Sequence, residues 1–154
     1  MELNTILEDG AIVANLKATS KKQALQELAR RAADVTGLDE RAIFSVLMDR
    51  ERLGTTGVGN GIAIPHGKLA EVDRVYGIFA RLDKAVDFQS IDDQPVDLIF
   101  VLLAPEDAGA DHLKALARVS RLLRDQDTCK KLRATSDTDA LYAIITESRE
   151  TRAA

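Results

Sequence analysis

The sequence feature that most constrains the fold is an apolar segment that runs from Val96 to Ala104 and reads VDLIFVLLA. Its length suits a strand, and it is apolar enough to be buried on both faces. Strands of this kind occur in sheets that helices cover on both sides. Pro105 follows directly and ends the segment. The segment therefore predicts an α/β domain that buries this strand.

Shorter patterns along the chain predict the remaining elements. Further strands are expected where apolar residues cluster, at 10–16, 62–64 and 75–82. Helices are expected at 20–36, 39–53, 111–124, 126–134 and 137–148. Ser20 and Gln23 have the spacing of a capping box, and Gly37 is a natural helix stop. This order of elements predicts a three-layer α/β/α domain with a central mixed β-sheet flanked by helices.

The composition agrees with one compact domain. The chain has 154 residues, and its 45% of hydrophobic residues is enough to build a core. We expect a single domain at 1–148 and a frayed tail at 149–154. The formal net charge of −4 argues against a nucleic-acid binder, which usually carries a basic surplus.

The sequence also predicts a cytoplasmic location. The N-terminus shows no cationic stretch followed by an apolar run, so no secretory signal is visible. No apolar run approaches the ~20 residues that a membrane helix needs, and we expect no membrane insertion. Cys129 is the only cysteine, so no internal disulfide is possible. A cytoplasmic location is the simplest conclusion from these three features.

The candidate reactive residue is His66, which lies in the segment GNGIAIPHGK at 59–68. Pro65 fixes its own φ angle, and Gly67 allows a sharp turn. We expect this bend to hold the imidazole at a strand end with open backbone around it. A neutral imidazole nitrogen is a good nucleophile for phosphorus. The alternative is that Pro65-His66-Gly67 is only a surface turn.

Groups near His66 are expected to support a phosphoryl group. The loop before it contains four glycines within eight residues and has unusual backbone freedom. Backbone N–H groups and a nearby cation suit incoming phosphoryl oxygens. The residues expected to bind or support phosphate are Gly59, Asn60, Gly67 and Lys68.

Arg50 is a second candidate. It follows Leu47 by three residues and Val46 by four, so it falls on the apolar face of its helix. A charged side chain is uncommon on such a face unless it is paired or has a function. It also lies in the last helical turn, just before the glycine-rich loop. A guanidinium there could reach His66 and bind phosphate in bidentate fashion. The alternative is a cation that only complements the helix dipole.

His112 is a third candidate, expected in the first turn of its helix just after the possible cap Asp111. A helix N-terminus favours the neutral ring and offers free N–H groups to an anion. His112 could therefore flank His66 and hydrogen-bond the phosphoryl group. The alternative is a surface histidine at a helix end.

Several other chemistries are not supported by the sequence. The glycine-rich loop does not match the GxGxxG dinucleotide motif, and Gly67-Lys68 lacks the flanking residues of a nucleotide P-loop. No serine has GxSxG flanks. Two distant histidines and one cysteine give no zinc pattern, so neither a metal nor a cofactor is expected.

The run GTTGVGNGIAIPHGK at 54–68 resembles the active-site segment of the IIA domains of the bacterial phosphoenolpyruvate-dependent phosphotransferase system. The resemblance is strongest to the nitrogen-related, or Ntr, branch of these domains. It covers nearly the whole chain, because the lysines after Ser20, the segments 87–88 and 91–98, and His112-Leu113 fall where the family has similar segments.

By this resemblance, His66 is the residue that accepts phosphate, from a small histidine phosphocarrier protein. Arg50 matches an arginine that helps to hold the phosphoryl group, and His112 matches a second histidine near the site. The resemblance implies a phosphotransferase that acts mainly as a regulatory phosphocarrier for nitrogen or potassium status. Potassium-transport and sensor-kinase proteins are the implied regulatory targets.

Two other functions stay open. One is a sugar-specific IIA component of the fructose or mannitol type, which would pass phosphate to a IIB domain. The other is a binding module in which His66 is never phosphorylated. Local similarity to the Ntr branch, and a chain that stops after one domain, favour the regulator.

Overall fold

The computed structural model describes the chain from residue 2 to residue 153, with side chains from residue 2 to residue 147. A short 3-10 helix at Leu3–Thr5 precedes the first strand. The helices are α1 Lys21–Thr36, α2 Glu40–Leu53, α3 Ala110–Arg124, α4 Gln126–Arg133 and α5 Thr138–Ala153. The strands are β1 Ile12–Leu16, β2 Gly57–Gly59, β3 Ile62–Ala63, β4 His66–Leu69, β5 Tyr76–Val86 and β6 Val96–Pro105.

The six strands form one mixed sheet in the order β1-β5-β6-β3-β2, with β4 also paired to β6. Strand β6 runs antiparallel to β5 and parallel to both β3 and β4. Its residues Val96 and 98–104 are completely buried, as expected from their sequence. The helices lie around this sheet, and the predicted α/β/α architecture is confirmed.

Two strands were not expected from the sequence. Strand β2 lies inside the glycine-rich loop and pairs with β3, while β4 begins at His66 itself. Glycine has a low strand propensity and neither segment shows alternating polarity, so pairing with neighbouring strands decides both. His66 therefore begins a strand of the sheet, and the bend expected around it is wrong.

The helix ends agree with the sequence apart from three details. The Ser20 hydroxyl accepts a hydrogen bond from the Gln23 N–H, but the Gln23 side chain accepts from Thr19 instead of closing the expected capping box on Ser20. Gly109, and not Asp111, precedes α3 as its N-cap. Helix α5 continues past Ser148 to Ala153, and Ala154 lies outside the described residues. Fraying of the tail stays a prediction.

No helix in the described range 2–153 is both long enough and apolar enough to cross a membrane.

Candidate functional site

His66 is held at the first position of β4 by its own backbone and by two contacts to its ring. The residue pairs with Leu102 of the buried strand β6. The ring Nδ1 lies 2.9 Å from the carbonyl oxygen of Ile64, and the ring Nε2 lies 3.3 Å from Nε of Arg50. A carbonyl only accepts and a guanidinium only donates. These partners therefore place the proton of the neutral ring on Nδ1 and leave the Nε2 lone pair unprotonated.

Arg50 reaches the ring from the last turn of α2, as expected from its place on the apolar face of that helix. Its Nη1 also donates to the carbonyl oxygen of Gly54, 2.9 Å away. These two contacts fix the plane of the guanidinium beside the imidazole. Three of its five N–H groups take no part in these contacts, so the geometry is suited to an anion that arrives at Nε2.

Gly67 allows α2 to come this close. A Cβ atom on Gly67 would lie 2.2 Å from Cγ1 of Val46, which stands one helical turn before Arg50. The backbone of Gly67 is part of β4 and does not require a positive φ angle. Its expected role as a turn residue is therefore wrong, and its role is to let a strand and a helix pack closely.

We predict that Gly67→Ala pushes α2 away from β4 and weakens the contact between Arg50 and His66. Overpacking of this kind typically costs about 1–3 kcal/mol. Urea denaturation should show the lost stability. The double variant Gly67→Ala with Val46→Ala removes the clashing methyl groups and should regain most of it. A single variant as stable as the wild type would contradict the packing role.

His112 lies beside His66, as expected, with the two ring centroids 5.6 Å apart and the planes inclined by 51°. It is the third residue of α3 and is only 8% exposed. Its Nδ1 is buried and has no hydrogen-bond partner among the described residues. A buried polar atom of this kind next to a reactive ring is suited to contact a group that the site receives.

Burial, and secondarily the nearby His66 and Lys68, hold the pKa of His112 below its ordinary value of 6.5. The neutral ring is therefore favoured near neutral pH. Between the lowered folded-state pKa and 6.5, the unfolded chain binds a proton that the folded chain does not. The free energy of unfolding then falls as the pH decreases through this window.

We predict that His112→Gln loses less stability than the wild type when the pH falls below 6.5. Urea denaturation midpoints of both proteins, measured at neutral and at mildly acidic pH, test this difference. His66 is present in both proteins, so the difference between them reports the loss of His112. Equal losses in the two proteins would show that His112 does not carry the predicted acid sensitivity.

Lys68 lies two residues after His66 on β4, so both side chains leave the strand on the same face. It is exposed, and its charge acts on His112. Lys68 is therefore close enough to add positive charge to this part of the surface.

Gly59 and Asn60 are not brought to the ring. Gly59 ends β2 and Asn60 begins the turn before Ile62, which pairs with Leu98, whereas His66 pairs with Leu102. Four strand residues correspond to ~13 Å. The Asn60 N–H donates to the carboxylate of Asp92, and this bond is the main reason why the pKa of Asp92 is lowered. The turn at Asn60 therefore binds a side chain of the protein, and the phosphate-supporting role expected of Gly59 and Asn60 stays a prediction.

One residue near the site was missed by the sequence analysis. This residue is Glu51, which is 8% exposed and pairs with Lys21. A sequence signal existed, because an acidic residue in the last turn of a helix opposes the helix dipole.

The fold and the site define a small α/β domain in which an unprotonated imidazole nitrogen faces an arginine and a second histidine lies alongside. The chain belongs to the family described as phosphoenolpyruvate-dependent sugar phosphotransferase system, EIIA 2, whose family model matches residues 5–148. Proteins of this family act in phosphoryl transfer.

Individual relatives are similar over nearly their full lengths. The chain is 61% identical over 145 residues to a nitrogen regulatory protein of Bradyrhizobium diazoefficiens, covering 94% of this chain and 95% of that protein. It is 40% identical over 152 residues to a nitrogen regulatory protein of Escherichia coli, covering 98% and 93%. The crystal structure of nitrogen regulatory protein IIA-Ntr from Neisseria meningitidis matches with a TM-score of 0.88 and 35% identity, covering 94% and 99%.

Proposed function

We propose that this protein is a regulatory phosphocarrier that accepts a phosphoryl group on Nε2 of His66. The observation that carries the proposal is the pair of contacts to the ring. Nδ1–H donates a hydrogen bond to the Ile64 carbonyl, and the Nε2 lone pair accepts one from Arg50. The donor is a histidine phosphocarrier protein that itself carries a phosphohistidine. His66 and Arg50 are partly exposed, so a protein donor can reach the ring.

The transfer exchanges one phosphorus–nitrogen bond for another. The lone pair on Nε2 of His66 attacks the phosphorus, and the bond between phosphorus and the donor nitrogen breaks. The electron pair of that bond returns to the donor ring. No proton has to leave Nε2 first, because the ring proton is on Nδ1 and remains bound to the Ile64 carbonyl.

Arg50 and His112 stabilise the transferred group. When Nε2 bonds to phosphorus, the Arg50 Nε–H loses its acceptor and turns to a phosphoryl oxygen, and its remaining N–H groups can bind further oxygens. His112 is near enough to donate a hydrogen bond to the same group. Positive charge from Lys68 lies nearby and offsets the charge that develops.

We predict that Arg50→Ala slows phosphorylation of His66 by about 10²-fold, the usual cost of losing one preorganised donor. Arg50→Lys should restore little of the rate, because a lysine cannot reproduce the planar fork. Rapid-quench measurement of transfer from the phosphorylated donor tests both variants. A wild-type rate in Arg50→Lys would contradict the bidentate role.

The regulatory part of the proposal is supported by the relatives. The relatives from Bradyrhizobium diazoefficiens and Escherichia coli, which match over nearly their full lengths, are named nitrogen regulatory proteins. We propose that this protein acts in the cytoplasm, that it reports nitrogen or potassium status, and that its targets include potassium-transport or sensor-kinase proteins.

The proposal is tested by supplying the protein with phosphoenolpyruvate, the first enzyme of the system and a histidine phosphocarrier protein. One phosphoryl group per chain should appear, and it should be labile to acid and stable to alkali, as a phosphoramidate is. Nuclear magnetic resonance of the ring nitrogens should locate it on Nε2. If the protein takes up no phosphate, the proposal is refuted. If it passes its phosphate readily to a sugar-specific IIB domain, it is a sugar-specific IIA component and not a regulator.

A further inference from the structure

We propose that Glu51 is a positioning residue that fixes the ring of His66 through a chain of hydrogen bonds over Thr56 and Ile64. The inference deepens the proposed phosphoryl transfer and rests on it for its functional meaning. Its structural content concerns the unphosphorylated ring and can be tested separately.

The first step is a buried ion pair that joins α1 to α2. Nζ of Lys21 lies 2.7 Å from Oε2 of Glu51, and the two side chains are 16% and 3% exposed. Lys21 is the first residue of α1 and Glu51 lies in the last turn of α2, so each charge stands at the helix end that the dipole disfavours. Local helix stability does not explain either residue, whereas the pairing of the two does.

The second step links the carboxylate to the loop that follows α2. The buried Thr56 donates its backbone N–H to Glu51, at 3.0 Å from Oε1 and 3.3 Å from Oε2, and its hydroxyl donates to Oε1. Hydrogen bonds to an ionised, buried acceptor are among the strongest in proteins. Glu51 therefore fixes the backbone of the loop at Thr56.

The third step carries this constraint to the ring. The carbonyl oxygen of Thr56 accepts the N–H of Ile64 at 3.0 Å, and the carbonyl oxygen of Ile64 accepts Nδ1 of His66 at 2.9 Å. Ile64 and Pro65 lie between β3 and β4, outside both strands. The bond from Thr56 therefore helps to orient the Ile64 residue whose carbonyl binds the ring.

Arg50 and Glu51 consequently act on opposite sides of one imidazole. Arg50 donates a hydrogen bond to Nε2. Glu51 acts on Nδ1 indirectly, through the hydrogen bonds of Thr56 and Ile64. If the Glu51–Thr56 bond is lost, the Ile64 carbonyl is less constrained, and a proton on Nε2 becomes competitive. A ring with its proton on Nε2 has its lone pair on Nδ1 and has none on Nε2, the nitrogen that faces Arg50.

The test replaces the ion pair with apolar side chains of similar size. Replacing both partners avoids leaving one unpaired buried charge. Lys21→Met with Glu51→Met also removes the acceptor of the Thr56 N–H and hydroxyl, which is the change under test. In this double variant the two ring-nitrogen resonances of His66, measured at a pH where the ring is neutral, should move towards each other as tautomers mix. Phosphoryl transfer should slow by on the order of 10- to 100-fold, the loss seen when a group that orients a metal-ligating imidazole is removed.

Two controls separate positioning from general stability. Lys21→Met with Glu51→Gln returns one acceptor oxygen to Thr56 and should restore the wild-type resonances. Asp97→Leu with Arg133→Met removes an ion pair at the other end of β3 and should leave the ring unchanged, whatever stability it loses.

A folded Lys21→Met, Glu51→Met protein with wild-type ring resonances would overturn the inference. The unmodified protein offers an independent check, because its spectra must show a proton bound to Nδ1 of His66, and a proton on Nε2 would overturn the inference without any variant. If the protein takes up no phosphate but the ring behaves as expected, the proposed function fails and the positioning role stands.

Discussion

Replacing His66 with alanine is expected to abolish phosphorylation completely, because no other described side chain has the same arrangement. His112, the nearest alternative, is buried, and it lacks the arginine contact that His66 has at Nε2. A phosphoryl group offered to the site therefore has one acceptor. The measurement is transfer of labelled phosphate from the phosphocarrier protein, followed by digestion and peptide mapping.

The variant His112→Gln provides the matched control for this experiment. It changes the neighbouring ring but keeps the acceptor, so it should still take up one phosphoryl group per chain, at a lower rate. Circular dichroism should show that both variants keep the wild-type fold. Full labelling of His66→Ala would contradict the assignment of His66 as the acceptor. If His66→Ala is labelled and His112→Gln is not, the acceptor is His112.

The elements that could be predicted from the sequence are those with a strong local signal. Strand β6 is apolar throughout apart from Asp97, and α1 has a side-chain cap at Ser20 and a left-handed Gly37 at its end. Strands β2 and β4 have no comparable signal. Their glycines disfavour a strand, and only the neighbouring strands β3 and β6 provide the hydrogen bonds that form them.

The residues of the site also divide into those with a signal in the sequence and those without one. His66 and Arg50 could be found because a histidine between proline and glycine, and a charge on an apolar helix face, are unusual in sequence. Gly59 and Asn60 lie away from the ring although they are close to His66 in sequence, because the residues between Ile62 and His66 extend along β6. The ring contact to Ile64 could not be predicted, since it depends on how one backbone carbonyl is oriented in three dimensions.

Phosphorylation of His66 is expected to switch the binding of a regulatory target between full and negligible. The phosphoryl group adds roughly −1.5 to −2 charges to one side chain. Two exposed apolar residues lie close in sequence to the site residues: Leu53, 85% exposed, follows Arg50 by three positions, and Leu113, 66% exposed, follows His112. Contiguous exposed apolar patches mark interaction sites, and we expect these two side chains to belong to a docking surface next to His66.

A target that docks on this surface must cover His66 as well as the apolar residues around it. Covering an unpaired phosphate, or placing it against a like charge, costs several kcal/mol, on the order of the whole free energy of a modest-affinity complex. The target is therefore expected to bind in one state of His66 and to be lost in the other. A sugar carrier has no reason to show this contrast with proteins outside its transport chain.

The test compares what is retained from cell extract by the wild type, by His66→Ala and by the fully phosphorylated protein. The wild type and His66→Ala should retain the same target, and the phosphorylated protein should differ from both, because only it carries the added charge. Leu113→Asp should lose the target in every state, whereas Tyr142→Ser, which alters an exposed apolar side chain on α5, should bind as the wild type does. Equal retention by all three proteins would mean that the charge on His66 does not control binding, and the regulatory function would then have to be abandoned even if His66 accepts phosphate.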